Sequence, residues 1–212
     1  MTLLDRFAPE TLQARSAPTL ETERLVLRAP RDTDAKAIAL LVNDRRIAEN
    51  TLRIPHPYGL ADAQEFIASA NAEDGEIVLV IAGRDGGVLG CCGIAQLGGT
   101  TPEIGYWLGV PFWGKGYATE AARALIDHAF VDLGHETLVA GARVSNPASR
   151  RVLEKCGFQW TGVGLYRIRA LRSSAPIDRF RLDRGLWASL KSWGQGAAGG
   201  ATRTGRTRRS KP

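Results

Sequence analysis

The sequence has few cysteines and no long hydrophobic run, and both absences narrow the class of protein. Its 212 residues include three cysteines, of which Cys91 and Cys92 are adjacent. This number and spacing suit neither a disulfide framework nor a set of metal ligands, so we expect no metal. No apolar stretch reaches the roughly 18 residues of a membrane-spanning helix, and the opening MTLLDRFAPE does not resemble a signal peptide. We therefore expect a cytoplasmic protein with no membrane partner.

Acidic residues are missing from the C-terminal end of the chain. The formal net charge is +6, and five of the basic residues lie in the last nineteen, so the rest is nearly neutral. This end is rich in glycine and lacks apolar periodicity, which predicts a disordered basic tail over 192–212. Such a tail is either simply solvated or makes a weak contact with nucleic acid.

The remaining sequence suits one domain with a sizeable core, since 44% of the chain is hydrophobic. We expect an N-terminal extension over 1–19 and a folded domain over 20–191. Apolar periodicity predicts a mixed α/β sheet of about six to seven strands with helices on both faces. The predicted strands are 23–29, 76–82, 88–97, 103–108, 137–144, 163–171 and 177–186. The predicted helices follow 32–34 and cover 61–72, 118–133 and 147–156.

Two junctions between a strand and a helix contain residues that could bind a ligand. The first is W-G-K-G-Y-A-T-E-A, residues 113–121, in which two glycines flank Lys115. Unpaired amides at a helix start, reached through a glycine-rich turn, can hold a phosphate group, although a plain tight turn has the same pattern. Neither the nucleotide P-loop motif nor the dinucleotide fingerprint is present. The second junction is N-P-A-S, where Asn146 is a favourable N-cap before Pro147.

Five motifs, taken in order, resemble the GNAT superfamily of N-acetyltransferases. The branch that acetylates N-termini of ribosomal proteins is the most similar. The resemblance covers about Thr22 to Leu186, and its motifs are T-E-R-L-V-L-R, I-P-H-P-Y, E-I-G-Y-W-L, W-G-K-G-Y-A-T-E-A and N-P-A-S-R-R-V-L-E-K-C-G-F. It implies a GNAT-like acyl-CoA N-acyltransferase fold and acetyl-CoA as co-substrate.

The resemblance also implies which residues bind acetyl-CoA. The backbone amides of the loop would hold the pyrophosphate, although Trp113 stands where the family usually has a polar residue. The pantetheine arm would lie between two parting strands, where the backbone N–H near Leu108 would polarise the thioester carbonyl. The implied cofactor-binding residues are Leu108, Trp113, Gly114, Lys115, Gly116, Tyr117, Ala118, Asn146 and Ser149.

Two side chains are candidates for catalysis. Glu103 begins the strand before the loop and would remove a proton from the amine, either directly or through a water chain. Ser149 would assist the departing thiolate, because the tyrosine that many family members use corresponds to Leu153 here. A solvent-facing Glu103 and a purely structural Ser149 are the alternatives.

The acceptor is less defined by the sequence. The resemblance implies a primary amine, on a small molecule or a protein N-terminus. A non-catalytic acyl-CoA-binding or RNA-associated module on the same fold is the alternative function. Arginines near the predicted acceptor site suggest a preference for acidic acceptors. They are Arg167, Arg169, Arg172 and Arg179.

Overall fold

The structure is a computed structural model that describes residues 17–72, 76–95 and 101–199. An eight-stranded mixed sheet runs through it in the order β1-β2-β3-β4-β5-β6-β8-β7. All neighbouring strands are antiparallel except β5 and β6. The strands are β1 (Leu20–Glu21), β2 (Leu25–Arg28), β3 (Ile77–Gly83), β4 (Val88–Ala95), β5 (Glu103–Leu108), β6 (Thr137–Arg143), β7 (Gln159–Ile168) and β8 (Ser173–Asp183).

Helices cover both faces of this sheet, as the sequence predicts. They are α1 (Ala35–Val42), α2 (Arg45–Ala48), α3 (Leu60–Ala70), α4 (Tyr117–Val131), α5 (Pro147–Lys155) and α6 (Arg184–Gly199). The larger core joins the sheet to α4 and α5, with Phe130 and Phe180 fully buried in it. A second core joins the opposite face to α1 and α3 through Ile38 and Ile67. Within the described ranges no helix is long and apolar enough to cross a membrane.

The fold class is confirmed, with three corrections. The sheet has one strand more than the upper expected number, because β1 pairs Leu20 with Leu27. The helix α2 was not predicted, since four residues are too short for a periodic pattern. The last strand ends at Asp183 rather than Leu186, and α6 follows at once.

Helix α6 also occupies the first residues of the expected tail. Trp187 anchors it to the domain: its ring lies 5.2 Å from that of Phe130, and its indole donates to Asp127 at 2.9 Å. Lys191 adds a salt bridge to the same carboxylate at 2.6 Å. Helix α6 extends to Gly199, within the expected tail of 192–212, and 200–212 lie outside the described residues.

The β5–β6 pair opens into a gap. Its register contains only Glu103↔Val139 and Ile104↔Ala140, although both strands continue for several residues. Beyond Ile104 the two strands part, while β5 stays paired with β4 as far as Leu108. The opening lies between the helix starts of α4 and α5, which follow these two strands.

Candidate functional site

The loop before α4 presents a row of unpaired amides. Gly114 and Gly116 have φ of 75° and 83°, left-handed values that glycine adopts without strain. In the described part of the chain, none of the amide groups from Gly114 to Ala118 has an acceptor. The 15-residue helix α4 adds partial positive charge at the same point. The loop therefore presents backbone N–H groups that can hold an anion, and we name residues 114–118 the amide cradle.

Arg24 and Glu120 brace this cradle. The Glu120 carboxylate accepts hydrogen bonds from the Thr22 hydroxyl at 2.6 Å and the Arg24 amide at 2.8 Å. The Arg24 guanidinium bonds to Glu120 at 2.7 Å and to the Lys115 carbonyl at 3.0 Å. Burial opposes the charge of Glu120, but these bonds outweigh it and lower the pKa of its carboxyl group. Sequence reasoning missed this brace, since its partners lie almost a hundred residues apart.

Trp113 fixes the other end of the loop. Its indole N–H donates to the carbonyl of Leu108, the last residue of β5, at 2.8 Å. Trp113 is 44% exposed, and the centre of its ring lies 5.8 Å from the guanidinium carbon of Arg46. Trp113 therefore ties the loop to the strand end, where a polar residue would instead offer a direct contact to a phosphate.

The backbone of Leu108 faces the gap. The next residue, Gly109, donates its N–H to Leu89 of β4 at 2.8 Å. Because backbone groups of successive strand residues point to opposite neighbours, the N–H of Leu108 points away from β4 and toward the β6 side. This orientation suits the donor that the sequence predicts for the thioester carbonyl.

Ser149 and Tyr106 meet at the start of α5. Asn146 caps the helix by accepting from the Ser149 amide at 3.1 Å, as predicted. The Tyr106 hydroxyl lies 3.1 Å from the Ser149 hydroxyl and 3.2 Å from its carbonyl oxygen. Burial raises the pKa of Tyr106, and the bond to Ser149 opposes this only in part, so the phenol stays protonated. Nothing in the sequence singles out Tyr106, because it resembles an ordinary inward-facing strand residue.

Glu103 lies on the opposite face of the sheet. Its carboxylate forms a two-pronged ion pair with Arg179, at 2.9 Å and 3.0 Å, and its side chain is 15% exposed. Gly105 follows on the same face of β5, and a Cβ there would meet no atom within 4 Å. Glu103 is therefore mostly buried in its ion pair, but it lies beside open space over Gly105. It differs in this from the solvent-facing glutamate that is the alternative.

The structure thus divides the predicted residues between two sides of one gap. One group lies around the gap on the face of the sheet that α4 and α5 cover: the loop residues, Leu108, Asn146 and Ser149. Glu103 lies on the other face, which α1 and α3 cover. A reagent lying in the gap between β5 and β6 would be reachable from both faces.

The cysteines do not offer a reactive thiol. All three are buried, and burial raises the pKa of Cys92 to about 12 and that of Cys156 to about 11. The described residues contain no group of three or more histidine, cysteine, aspartate or glutamate side chains that could hold a metal ion.

Comparisons with known proteins agree with this fold. The family model for the acetyltransferase (GNAT) domain matches residues 24–159. The chain is 32% identical to the uncharacterized N-acetyltransferase p20 of Bacillus licheniformis over 68% of this chain and 84% of that protein. It is 30% identical to the putative ribosomal N-acetyltransferase YdaF of Bacillus subtilis over 65% and 79%. A solved structure described as a probable acetyltransferase superposes with a TM-score of 0.70 and 26% identity, covering 80% and 99%.

Proposed function

Because the chain belongs to the GNAT family of acetyltransferases, we propose that it transfers the acetyl group of acetyl-CoA directly to a primary amine. The observation that carries this proposal is the gap between β5 and β6, which ends at the amide cradle. A long thioester can lie in this gap with its phosphates at one end. The acceptor amine can then approach from the face of Glu103.

GNAT enzymes use acetyl-CoA, and the residues around the gap fit its parts. The amides from Gly114 to Ala118 would bind the pyrophosphate, and Lys115 would add a positive charge. The pantetheine arm would replace the missing strand pairing beyond Ile104, with the Asn146 side chain beside it. The Leu108 N–H would donate to the thioester carbonyl oxygen as negative charge develops there.

The amine must lose a proton before or during attack, since an ammonium ion has no lone pair. Amines of this kind have pKa values of about 8 to 10.4. Glu103 would take the proton through a bound water: Arg179 engages both carboxylate oxygens, but each oxygen keeps a further lone pair. The nitrogen then bonds to the carbonyl carbon, and the carbon–sulfur bond breaks.

The leaving thiolate needs a hydrogen bond and then a proton, and Ser149 would supply the hydrogen bond. If Tyr106 donates its single hydrogen to the Ser149 oxygen, the serine hydrogen is free to point at the sulfur. Tyr106 is then a positioning residue for Ser149. Its raised pKa makes a buried phenolate unfavourable, so the proton that finally reaches the sulfur comes from solvent.

Direct transfer also agrees with the surroundings of the three thiols and of Ser149. The thiols are buried with raised pKa values. Ser149 has a tyrosine and an asparagine as neighbours, whereas a nucleophilic serine requires a basic partner such as histidine. Neither the three thiols nor Ser149 is therefore suited to carry the acetyl group.

The acceptor would be a small-molecule amine or a protein N-terminus, and the relative YdaF, named a putative ribosomal N-acetyltransferase, supports an acceptor on the ribosome. A non-catalytic acyl-CoA-binding module would share the cradle but would not release CoA in the presence of an amine.

Calorimetric titration with acetyl-CoA, CoA and dephospho-CoA tests the proposal. We expect near-stoichiometric binding of acetyl-CoA by the wild type, weakened at least several-fold in Gly116→Ala. Gly86→Ala is the matched control, since it places the same side chain at a similar φ of 85° in a remote turn. The absence of acetyl-CoA binding, or an equal loss in both variants, would contradict the cradle assignment. Binding without acetylation of any amine would favour the non-catalytic module.

A further inference from the structure

A basic depression of about 540 Å³ lies at the far end of the β7–β8 hairpin. We name it the arginine depression. Its lining consists of Leu52 and four arginines, with no acidic residue: Arg53, Arg167, Arg169 and Arg172. Sequence reasoning places three of them near the acceptor, but not Arg53, which comes from the loop before α3.

The fold holds these arginines together. The backbone N–H of Arg169 donates to the carbonyl of Leu52 at 3.0 Å, which ties the hairpin to that loop. The Leu52 side chain packs against the small core of Ile168, Ala175 and Ile177. Arg172 closes the turn with a φ of 54°, a conformation that is unfavourable for a long side chain. The hairpin and the loop that together line the depression are therefore joined by backbone and side-chain contacts.

Most of the positive charge in the arginine depression is not neutralised by a neighbouring carboxylate among the described residues. Arg53 forms an exposed salt bridge with Glu76 at 3.0 Å. The other three arginines have no acidic partner in the part of the chain that the structure describes. Their guanidinium groups repel one another, and each offers the planar fork that matches a carboxylate or a phosphate. A bound anion would relieve this repulsion.

The Leu52 side of the depression shares a face of the sheet with the proposed base, whereas Arg167, which pairs with Ser174, extends from the other face of the hairpin at its tip. Ile177, which supports Leu52, is two residues before Arg179 on β8, so both side chains are on the face of Glu103. Ser174, the partner of Arg167, is five residues before Arg179 on β8. At about 3.3 Å per residue, and with the reach of the side chains, the depression lies about 10–20 Å from Glu103. An extended peptide covers that distance in about three to six residues.

We propose that the arginine depression binds an anionic group of the acceptor. The enzyme would then select amines that carry carboxylates or phosphates about 10–20 Å from the reacting nitrogen. This inference rests on the proposed acetyl transfer, and it names the chemical class of the acceptor.

A matched pair of peptide amides tests it: Ala-Gly-Gly-Asp-Asp-Asp and Ala-Gly-Gly-Asn-Asn-Asn, each with a free N-terminus. The measurement is acetylation, as kcat/KM, and also binding of fluorophore-labelled copies in the presence of saturating CoA. The test variant is Arg167→Gln/Arg169→Gln. The control is Arg181→Gln/Arg184→Gln, which removes two exposed charges at the other end of the hairpin.

We expect the wild type to prefer the aspartate peptide at low salt. Each guanidinium removed in the test variant should reduce this preference about five-fold, while the affinity for acetyl-CoA stays unchanged. The control variant should keep the preference. Added salt should reduce it, and a peptide with phosphoserine in place of aspartate shows whether phosphate is preferred to carboxylate.

Three results would overturn the inference: equal binding of both peptides by the wild type, a preference that survives in the test variant, or a single-stranded RNA decamer that binds this depression more tightly than the aspartate peptide. Binding is measured apart from turnover, so a peptide that binds without being acetylated still supports the depression. Failure of acetyl-CoA binding would instead contradict the proposed function.

Discussion

Replacing Tyr106 with phenylalanine should slow turnover without weakening acetyl-CoA binding. The change removes one hydroxyl group, which lies 3.1 Å from the Ser149 hydroxyl, and leaves the ring in place. A hydrogen bond of this kind contributes about 1 kcal/mol, and about 1.4 kcal/mol corresponds to a factor of ten in rate. We therefore expect kcat to fall about five- to ten-fold with little change in the KM for acetyl-CoA.

A double-mutant cycle separates this role from a loss of packing. In Ser149→Ala the hydroxyl that Tyr106 positions is already gone, so adding Tyr106→Phe should have almost no further effect on kcat. Tyr58→Phe is the control, because it removes another partly buried hydroxyl, one that donates to the Asp62 carbonyl at 3.1 Å in the opposite core. Melting temperatures are recorded for every variant.

Two results would refute this reasoning. Strictly multiplicative effects of the two substitutions would show that Tyr106 does not act through Ser149. An equal drop in kcat for Tyr58→Phe would show that the loss reflects a general loosening of the protein. Because burial raises the pKa of Tyr106, the ratio of wild-type to Tyr106→Phe rates should also stay constant through mildly alkaline pH.

Three further predictions concern the carboxylates. Glu103→Gln should depress turnover most at lower pH, where the amine is protonated, and leave acetyl-CoA binding intact; a rate profile over pH tests this. Glu120→Gln should raise the KM for acetyl-CoA several-fold with a smaller change in kcat, since the brace to Arg24 is lost. Asp34 forms a buried ion pair with Arg28 at 2.7 Å, and Asp34→Asn should lower the free energy of unfolding by about 3 kcal/mol at neutral pH.

The sign of the pH effect at Asp34 follows from its environment. Burial opposes its ionisation, but the hydrogen bonds from Arg28 and the Arg31 backbone outweigh it, so the pKa of Asp34 is lowered. A carboxyl group with a lowered pKa stabilises the fold above its unfolded pKa of about 3.9, and this stability disappears as pH falls through the folded value. Urea unfolding should therefore show the wild type and Asp34→Asn converging in acid. If the free energies of unfolding of the two proteins still differ in acid, the lowered pKa of Asp34 is contradicted.

The control for the other two carboxylates comes from an exposed ion pair. Glu136→Gln breaks the surface contact to Arg184 at 3.2 Å and should change neither the KM for acetyl-CoA nor the rate profile. An unchanged profile in Glu103→Gln would remove that residue from proton transfer. An unchanged KM in Glu120→Gln would show that the loop keeps its shape without the brace.

The sequence predicts well what depends on local periodicity. The bounds of β5 agree at both ends, and the cap at Asn146 is found as predicted. Each depends on a few neighbouring residues, where side-chain alternation, capping and backbone sterics act directly.

The sequence does not reveal contacts between distant segments. The brace of Arg24 on Glu120, the ion pair of Arg179 with Glu103 and the meeting of Tyr106 with Ser149 all join different strands and helices. A single sequence carries no pairing information of this kind. The sequence does not predict helix α6, for a similar reason. Its glycine-rich end has low helix propensity, and the helix depends on the packing of Trp187 against Phe130.

Gly141 shows how the opening of the sheet and the placement of the base depend on each other. It lies on β6 just past the last residue that pairs with β5. A Cβ at this position would stand 3.0 Å from a guanidinium nitrogen of Arg179 and 3.5 Å from a carboxylate oxygen of Glu103. Any side chain there would press on the ion pair at the mouth of the gap. A glycine therefore lets Arg179 reach across β6 to Glu103, and the strand that carries Arg179 also supports the arginine depression. Strand β8 therefore contacts both Glu103, which would remove the proton, and the arginine depression, which would hold the acceptor's anionic group.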